Sequence, residues 1–229
     1  MAGQPGTGSI DERGPPSIEV DREDIVSVGG VRTTSVDRTL LDVARAGEVR
    51  LAVAMTDEAL RRGLTSPIRL DRVGATIAGR PGAGRVRQVF AFADGRAESV
   101  GESITRVQLR QLGLPRPELQ ASIVGAHGEV IGRTDFLIAA HGTVIEFDGR
   151  MKYEKLLRVG ESASDVVYRE KQREDAIRAT GLEVVRMIWR DHFHDAAVLS
   201  RCAAAFERQG HRGWRPSAPG LIGYRARLK

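Results

Sequence analysis

The chain is organised around one run, Arg133-Thr-Asp-Phe-Leu-Ile-Ala-Ala-His-Gly-Thr-Val-Ile-Glu-Phe-Asp-Gly149. It contains two short apolar segments, Phe136 to Ala140 and Thr143 to Phe147, which are joined through His141-Gly142. β-Branched and aromatic residues on both sides of a glycine turn are typical of paired strands. The run therefore predicts a β-hairpin.

Three carboxylates interrupt this apolar run: Asp135, Glu146 and Asp148. Glu146 and Asp148 are two residues apart, so both side chains project from the same face of a strand. A carboxylate on an apolar strand is costly unless it is paired, and three neighbouring carboxylates repel one another unless a cation lies between them. Mg²⁺ prefers oxygen ligands and commonly binds one or two carboxylates together with a substrate phosphate. The three side chains thus predict a site for Mg²⁺, with Mn²⁺ as an alternative.

The composition indicates a globular protein of a reducing compartment. At 229 residues, 41% of them hydrophobic, the chain can form one large domain or two small ones. Its single cysteine, Cys202, cannot form an intramolecular disulfide. Met1 to Pro16 is polar and lacks the apolar stretch of a secretion signal, and no later apolar run is long enough to cross a membrane. We therefore expect a cytoplasmic protein without a membrane partner.

The charge balance favours a nucleic-acid partner. The formal net charge is +5 and the pI is near 9.9. Only four of the 35 basic residues are lysines, at Lys152, Lys155, Lys171 and Lys229. Arginine is suited to bidentate phosphate contacts. A solvated basic surface in an arginine-rich chain explains the same numbers, so the charge leaves both interpretations open.

The first part of the chain predicts a small, mainly helical module. Residues 1–17 have the composition of a disordered segment, and residues 18–95 form the module, with short strands around Gly29-Gly30. Ser66-Pro67 has a capping residue followed by proline, which marks the start of a helix. Four helices are expected. The first follows Thr34-Ser35 and runs through Arg45, the second and third cover about 48–62 and 66–78, and the fourth follows the break at Arg80-Pro-Gly82 and runs to Ala93. The module contains no metal-ligand spacing and no glycine-rich phosphate loop.

From residue 96 to 209 the pattern changes to a mixed α/β domain of the α+β class. We expect a helix, three strands, a helix, a strand and a final helix. The predicted ranges are Ser99–Leu112, Leu119–Val124, Glu129–Ala139, Thr143–Asp148, Ser164–Thr180, Leu182–Trp189 and Asp195–Glu207, with a loop over 150–163. Residues 210–229 are basic and are predicted to form a flexible tail.

This order of elements resembles the restriction-endonuclease-like fold of the PD-(D/E)xK superfamily. It is most similar to bacterial proteins related to the very short patch repair (Vsr-like) endonuclease. The residues that carry the resemblance are Glu98-Ser-x-x-Glu102-Ser, Leu114-Pro-x-Pro-x-Leu-Gln120, Gly132-Arg-x-Asp-Phe136, Val144-Ile-Glu-Phe-Asp-Gly-Arg150, Glu170-Lys-x-Arg-Glu-Asp175, Gly181-x-x-Val-Val-Arg186 and Trp189-x-Asp191. The preceding run Val31-x-Thr-Thr-Ser-x-x-Arg-Thr-Leu-Leu-Asp42 resembles the linker module of AbiEi-type antitoxins, here without their winged helix.

The resemblance implies a metal-dependent phosphodiesterase. The strand acids that bind metal in that superfamily correspond to Asp135 and Glu146, and a helical glutamate that often completes the site corresponds to Glu102. The usual lysine two residues after the strand glutamate is absent, because that position is Asp148. Asp148 is then a candidate third metal ligand. Under this resemblance, Lys152 or Lys171 is the candidate to supply the positive charge of the missing lysine.

Each candidate also has a structural explanation. Asp135 could pair with Arg133 or Arg150, and Glu146 could form a buried salt bridge. Asp148 precedes a glycine, which is a turn signal. Ser99-x-x-Glu102 matches a capping box, in which the glutamate binds the start of its own helix. The two lysines could simply be solvated, and the predicted helix that carries Arg173 and Glu174 could form an ordinary surface network.

Two functions of different classes remain. The first is a Mg²⁺-dependent DNA endonuclease, a hydrolase that cleaves phosphodiester bonds with metal-activated water, for which RNA is not excluded as a substrate. The second is a catalytically inactive DNA-binding or regulatory protein on the same fold, related to AbiEi-type antitoxins. A third interpretation gives residues 30–94 a protein partner. The oligomeric state is open.

Overall fold

The computed structural model describes residues 20–149 and 163–217, and this part of the chain combines seven α-helices with two β-sheets. The expectation of a mixed α/β protein is confirmed. The predictions of a disordered segment over 1–17 and of a loop over 150–163 fall almost entirely outside the described residues. No helix in the described part of the chain is long and apolar enough to cross a membrane.

The N-terminal module begins with a hairpin and continues with four helices. Strands β1 (Ile25–Val28) and β2 (Val31–Thr34) pair antiparallel around Gly29-Gly30, whose positive φ angles suit glycine. The helices are α1 (Val36–Ala46), α2 (Val49–Arg61), α3 (Pro67–Ala75) and α4 (Ala83–Phe92). The third helix ends three residues earlier than the sequence predicts, because the chain continues in turns.

Serine side chains fix the starts of two of these helices. Ser35 accepts a hydrogen bond from the backbone N–H of Arg38, and Ser66 accepts one from Arg69. Each bond satisfies one of the N–H groups that a first helical turn leaves unpaired. The apolar faces of the four helices then bury one shared cluster, built around Leu41, Val53, Leu70 and Val86.

The second part of the described chain follows the predicted order of elements. It contains α5 (Val100–Gln111), β3 (Glu118–Val124), β4 (Val130–Ile138), β5 (Thr143–Asp148), α6 (Ala163–Ala179), β6 (Glu183–Ile188) and α7 (Asp195–Arg208). The four strands lie in the order β3-β4-β5-β6. Neighbours from β3 to β5 are antiparallel, and β6 pairs parallel with β5.

Helices cover both faces of this sheet. On one face, Phe136, Ile145 and Val185 lie in register across β4, β5 and β6 and pack with side chains of α5 and α7. On the other face, Val144 and Val184 are in register and pack against Ile177 of α6. Because side chains alternate along a strand, the even-numbered residues of β5 point toward the α6 face.

Helix α5 joins the helical module to the sheet. Its Val107 belongs to the N-terminal apolar cluster and its Leu109 to the sheet cluster. Arg106 forms an ion pair of 2.7 Å with Asp57 of α2, and both side chains are almost fully buried. The module and the sheet therefore pack through one shared helix.

The first residues after α7 pack against the domain, whereas the sequence predicts a flexible tail there. Trp214 lies on the sheet cluster with its ring 5.0 Å from Phe206, and Ser217 bonds through its backbone N–H and its hydroxyl to the carbonyl of Gly113. The apolar indole side chain explains this packing. The remainder of the predicted tail, residues 218–229, lies outside the described part.

Candidate metal and phosphate site

Asp135 lies where strands β4 and β5 stop pairing. The backbone ladder between them ends at Phe136 opposite Ile145. One residue further, the carboxylate Oδ2 of Asp135 accepts a 2.8 Å hydrogen bond from the backbone N–H of Phe147. The side chain therefore links the two strands at their open end and holds a half-buried carboxylate close to Glu146 and Asp148.

Glu146 is a largely enclosed carboxylate of the site. Its side chain is 14% exposed, and Oε2 accepts a 2.6 Å hydrogen bond from Nη2 of Arg173. Its other oxygen, Oε1, is buried and has no hydrogen-bond partner within the described residues. Burial raises the pKa of Glu146, and the negative charge of Asp135 adds to this, although Arg173 opposes the shift.

Arg173 reaches this site from α6. Besides Glu146, its guanidinium donates to Oε2 of Glu170, at 3.2 and 3.3 Å, and to the backbone carbonyl of Arg133 at 3.1 Å. The Glu170 bonds match the i, i+3 spacing of neighbours on one helix face. One arginine thus connects α6, β4 and β5.

Asp148 lies at the end of β5, half-buried, with Nη1 of Arg186 3.7 Å from its Oδ2. Arg186 lies on β6 directly opposite Glu146 in the strand register. It also donates to Glu174 of α6, at 2.6 and 2.8 Å. A second guanidinium is therefore held on the same face of the sheet as the carboxylates.

These side chains surround one cavity of about 200 Å³. Its lining consists of Glu98, Gln120, Arg133, Asp135, Glu146, Phe147, Asp148, Glu170, Arg173 and Arg186. The described lining thus contains five carboxylates and three guanidinium groups. On formal charges, these residues carry two more negative than positive charges, which is the charge that one divalent cation balances.

Glu102 is placed beneath this cavity and is not part of its lining. It is 1% exposed, and its carboxylate accepts from the Ser99 hydroxyl at 2.8 Å, the backbone N–H of Glu98 at 2.8 Å and the Gln120 amide at 2.9 Å. The Ser99 hydroxyl in turn accepts from the backbone N–H of Glu102. These bonds have the form of a capping interaction, the structural explanation given above.

Gln120 links Glu102 to the cavity. It has a φ of 54°, the one positive value among the described non-glycine residues. Such a conformation is strained for a side-chain-bearing residue and persists where the surroundings hold it. Its bond to the buried Glu102 supplies such an anchor. In the sequence, Gln120 is marked only by its place in the Leu114–Gln120 motif.

The two candidate lysines are not among the described lining residues. Lys171 is exposed on α6 and does not line the cavity. Lys152 lies outside the described residues. Arg173, two residues after Lys171, contacts the site instead. In the sequence, Arg173 is part of a motif and a candidate for an ordinary surface network, and its spacing from Glu170 was the available signal.

Within the described residues, no group of three or more histidine, cysteine, aspartate or glutamate side chains lies close enough to hold a metal ion. At Glu146 a guanidinium contacts Oε2. The buried oxygen Oε1 is nevertheless an acceptor that a cation would satisfy. Because Mg²⁺ often uses one or two carboxylates and completes its shell with water or phosphate, Asp135 and Glu146 fit such an ion.

The helical module has a separate concave surface. Val36, Leu51, Leu64 and Val100, each 37–51% exposed, border a mainly apolar groove of about 360 Å³. The predicted protein partner of residues 30–94 stays a prediction, and this groove offers exposed apolar side chains for such a contact.

Comparisons with known proteins give relatives without a stated activity. Two curated proteins, each described as an uncharacterized protein of Mycobacterium tuberculosis and taken from different strains, are 33% identical to this chain over 160 residues. The match covers 64% of this chain and 59% of each relative. The chain thus spans less than two thirds of the length of these relatives. No family model and no solved structure matches it.

Proposed function

We propose that this protein is a Mg²⁺-dependent DNA endonuclease built on a restriction-endonuclease-like core. The observation that carries the proposal is that Asp135 and Glu146, from adjacent strands, line one cavity together with Asp148 and three arginines. The order of helix, three antiparallel strands, helix, parallel strand and helix agrees with the proposed core. The arginine-rich composition supports a polyanionic substrate.

Asp135 and Glu146 would hold the ion in this proposal, and water or a substrate phosphate would complete its shell. Asp148, the predicted third ligand, forms no metal-binding group of three with them among the described residues. A bound Mg²⁺ lowers the pKa of a coordinated water molecule and offsets charge on the phosphoryl oxygen. The chain's own contribution is orientation. The Phe147 N–H fixes Asp135, and the contact with Arg173 fixes Glu146, whose side chain is only 14% exposed. Arg133, 54% exposed at the cavity rim and ion-paired with Glu98 at 2.6 Å, would contact a backbone phosphate in this proposal.

A catalytically inactive DNA-binding or regulatory protein, related to AbiEi-type antitoxins, is the second candidate. The observation that favours it is the 2.6 Å contact between Arg173 and Glu146, which gives a proposed metal ligand a protein counter-ion. Asp148 at the usual position of a lysine favours it as well. This candidate requires DNA binding that persists after chelation of divalent ions.

Cleavage of plasmid and of matched DNA and RNA oligonucleotides, with Mg²⁺ or Mn²⁺, separates the two candidates. The variant Asp135→Asn/Glu146→Gln removes both charges while keeping side-chain size. Its matched control is Asp175→Asn/Glu207→Gln, which removes two carboxylates at exposed positions that do not line the cavity.

Metal-dependent cleavage by wild type and by the control, and none by the site variant, is the expected result. The RNA arm decides between the two nucleic acids. If no protein cleaves and all retain a chelator-resistant gel shift with DNA, the nuclease proposal is wrong and the binding protein is the better description.

A further inference from the structure

The contact between Arg173 and Glu146 has an unusual position for a structural ion pair. It lies at the open end of a strand pair, inside a cavity, where Glu146 keeps one oxygen buried and unpartnered among the described residues. Ion pairs that only stabilise a fold commonly satisfy both partners. Here Arg173 contacts one oxygen of the Glu146 carboxylate, and the other oxygen has no hydrogen-bond partner among the described residues.

The surroundings hold the Arg173 side chain without enclosing it. Its side chain is 23% exposed, and Glu170 and the Arg133 carbonyl provide bonds that do not depend on Glu146. Gly132 lies against the stem: a Cβ there would come within 3.3 Å of the Arg173 Cδ. The stem of Arg173 thus packs closely on Gly132, and its guanidinium has partners near the cavity rim besides Glu146.

A cation on Glu146 and the Arg173 guanidinium cannot both keep their best positions. A divalent cation and a guanidinium a few ångströms apart repel each other, and the repulsion is stronger in a partly buried site than in water. A guanidinium is also a planar fork of donors that matches two phosphate oxygens. A displaced Arg173 would therefore be well suited to contact the substrate.

We propose that Arg173 is a built-in counter-ion of this site, which neutralises Glu146 until a divalent cation binds and then turns to the phosphate of the nucleic acid. The second half rests on the proposed function, whereas the first half requires only that the site binds a cation. The absence of a lysine two residues after Glu146 is then offset by an arginine from the following helix.

The first test measures cation binding without turnover. Mn²⁺ affinity is determined by calorimetry for wild type, Arg173→Gln and a matched control, Arg178→Gln, which alters an arginine of the same helix that pairs with Glu174 outside the cavity lining. Removing the competing charge should tighten Mn²⁺ binding by Arg173→Gln at least about fivefold. The control should stay within about twofold of wild type. Unchanged or weaker binding by Arg173→Gln overturns the proposal.

Thermal unfolding supplies a readout that a merely structural role would not reproduce. In chelator, Arg173→Gln should melt below wild type, since Glu146 has lost its counter-ion, and saturating Mn²⁺ should raise its midpoint more than that of wild type. In chelator, the double variant Arg173→Gln/Glu146→Gln should melt at a higher temperature than Arg173→Gln, close to wild type. A loss that neither Mn²⁺ nor the second substitution recovers overturns the counter-ion role.

If Arg173→Gln does not fold, wild type itself answers the question. The ¹⁵N side-chain signal of Arg173, assigned by its loss in Arg173→Lys, should shift as Mg²⁺ is titrated in. A signal that does not move while Mg²⁺ binds contradicts the proposal.

Cleavage then separates the two proposals. At saturating Mn²⁺, Arg173→Gln should cut at least about tenfold more slowly than wild type. Equal rates would overturn the phosphate contact. No cleavage by wild type, together with tighter Mn²⁺ binding by the variant, would refute the nuclease and leave the counter-ion in place. Cleavage by wild type with unchanged Mn²⁺ affinity in the variant would support the nuclease and refute the counter-ion role.

Discussion

The carboxylate of Asp135 accepts a 2.8 Å hydrogen bond from the backbone N–H of Phe147. Phe147 is the residue between Glu146 and Asp148, so one bond fixes the position of the first acid relative to the other two. The ladder between β4 and β5 ends just before this point. A side chain thus replaces the backbone acceptor at the place where the strands open, and the opening becomes a cavity lined with carboxylates.

This bond makes Asp135→Asn a selective change. The amide oxygen can still accept from Phe147, so the free energy of unfolding should change by less than about 1 kcal/mol. The lost charge should abolish measurable Mn²⁺ binding and reduce cleavage at least about 100-fold. Asp135→Ala should show the same losses of Mn²⁺ binding and cleavage. It should also lower the free energy of unfolding by about 1–3 kcal/mol, because the Phe147 N–H loses its acceptor. Urea unfolding and calorimetry check both variants, and normal Mn²⁺ binding by Asp135→Asn would remove Asp135 from the metal site.

Glu102→Gln tests whether the buried glutamate supports the fold or binds metal. Its carboxylate faces three donors, and an amide presents only one oxygen to them. We expect a loss of about 1–3 kcal/mol of stability in urea unfolding and a Mn²⁺ affinity within about twofold of wild type. Glu118→Gln, an exposed position on β3, is the control and should change neither. A large fall in Mn²⁺ affinity would assign Glu102 to the metal site.

The buried ion pair Asp57–Arg106 should stabilise the contact between α2 of the helical module and α5. Arg106→Gln leaves a carboxylate that is 1% exposed without its counter-ion, which costs about 3–5 kcal/mol for buried pairs. Arg61→Gln breaks an exposed pair with Glu58 and should cost under about 1 kcal/mol. Urea unfolding of both variants gives the comparison. Equal effects would mean that the buried pair contributes little beyond packing.

His192 should make stability depend on pH. Burial lowers the pKa of His192 from 6.5 to about 4, and the positive charge of Arg50 acts in the same direction. The unfolded chain therefore binds a proton between these values while the folded chain does not, so stability is complete above about pH 6.5 and falls toward pH 4. The loss should reach up to about 3 kcal/mol.

Urea unfolding between pH 4 and 7, with an NMR titration of the imidazole, measures this effect. A His192→Asn variant should show a flatter dependence, and His127→Gln, an exposed histidine, should retain the wild-type slope. An imidazole that titrates near pH 6.5 in the folded protein would contradict the prediction.

Arg110 and Arg116 should contribute to nucleic-acid affinity. Both are exposed, line a second cavity of about 190 Å³ beside the start of β3, and have no ion-pair partner among the described residues. Changing both to Gln should weaken DNA binding and reduce the slope of log affinity against log salt by about 0.9 per lost phosphate contact. Arg61→Gln alters an arginine already paired with Glu58 and should leave the slope unchanged. A double variant with the wild-type slope would exclude this cavity from the binding surface.

Local patterns in the sequence were sufficient for most elements of the fold. His141-Gly142 marked the β4–β5 turn, and Gly142 has a φ of 54° there. Ser35, Ser66 and Ser99 marked helix starts, and all three accept the expected backbone hydrogen bonds. These features depend on spacings of a few residues, which a sequence displays directly. The packing of Trp214 depends on neighbours that are distant in the chain.

The sequence by itself determined the acids and their alternation: Glu146 and Asp148 share a face because a strand repeats every two residues. Only the tertiary structure decided which groups meet them. Arg173 reaches Glu146 across 27 residues of chain because α6 packs on that face of the sheet, and Arg186 faces Glu146 because β6 pairs in parallel with β5. Helix docking and strand register arise from the burial of whole apolar faces. The charge partners of this site are therefore a property of the folded chain.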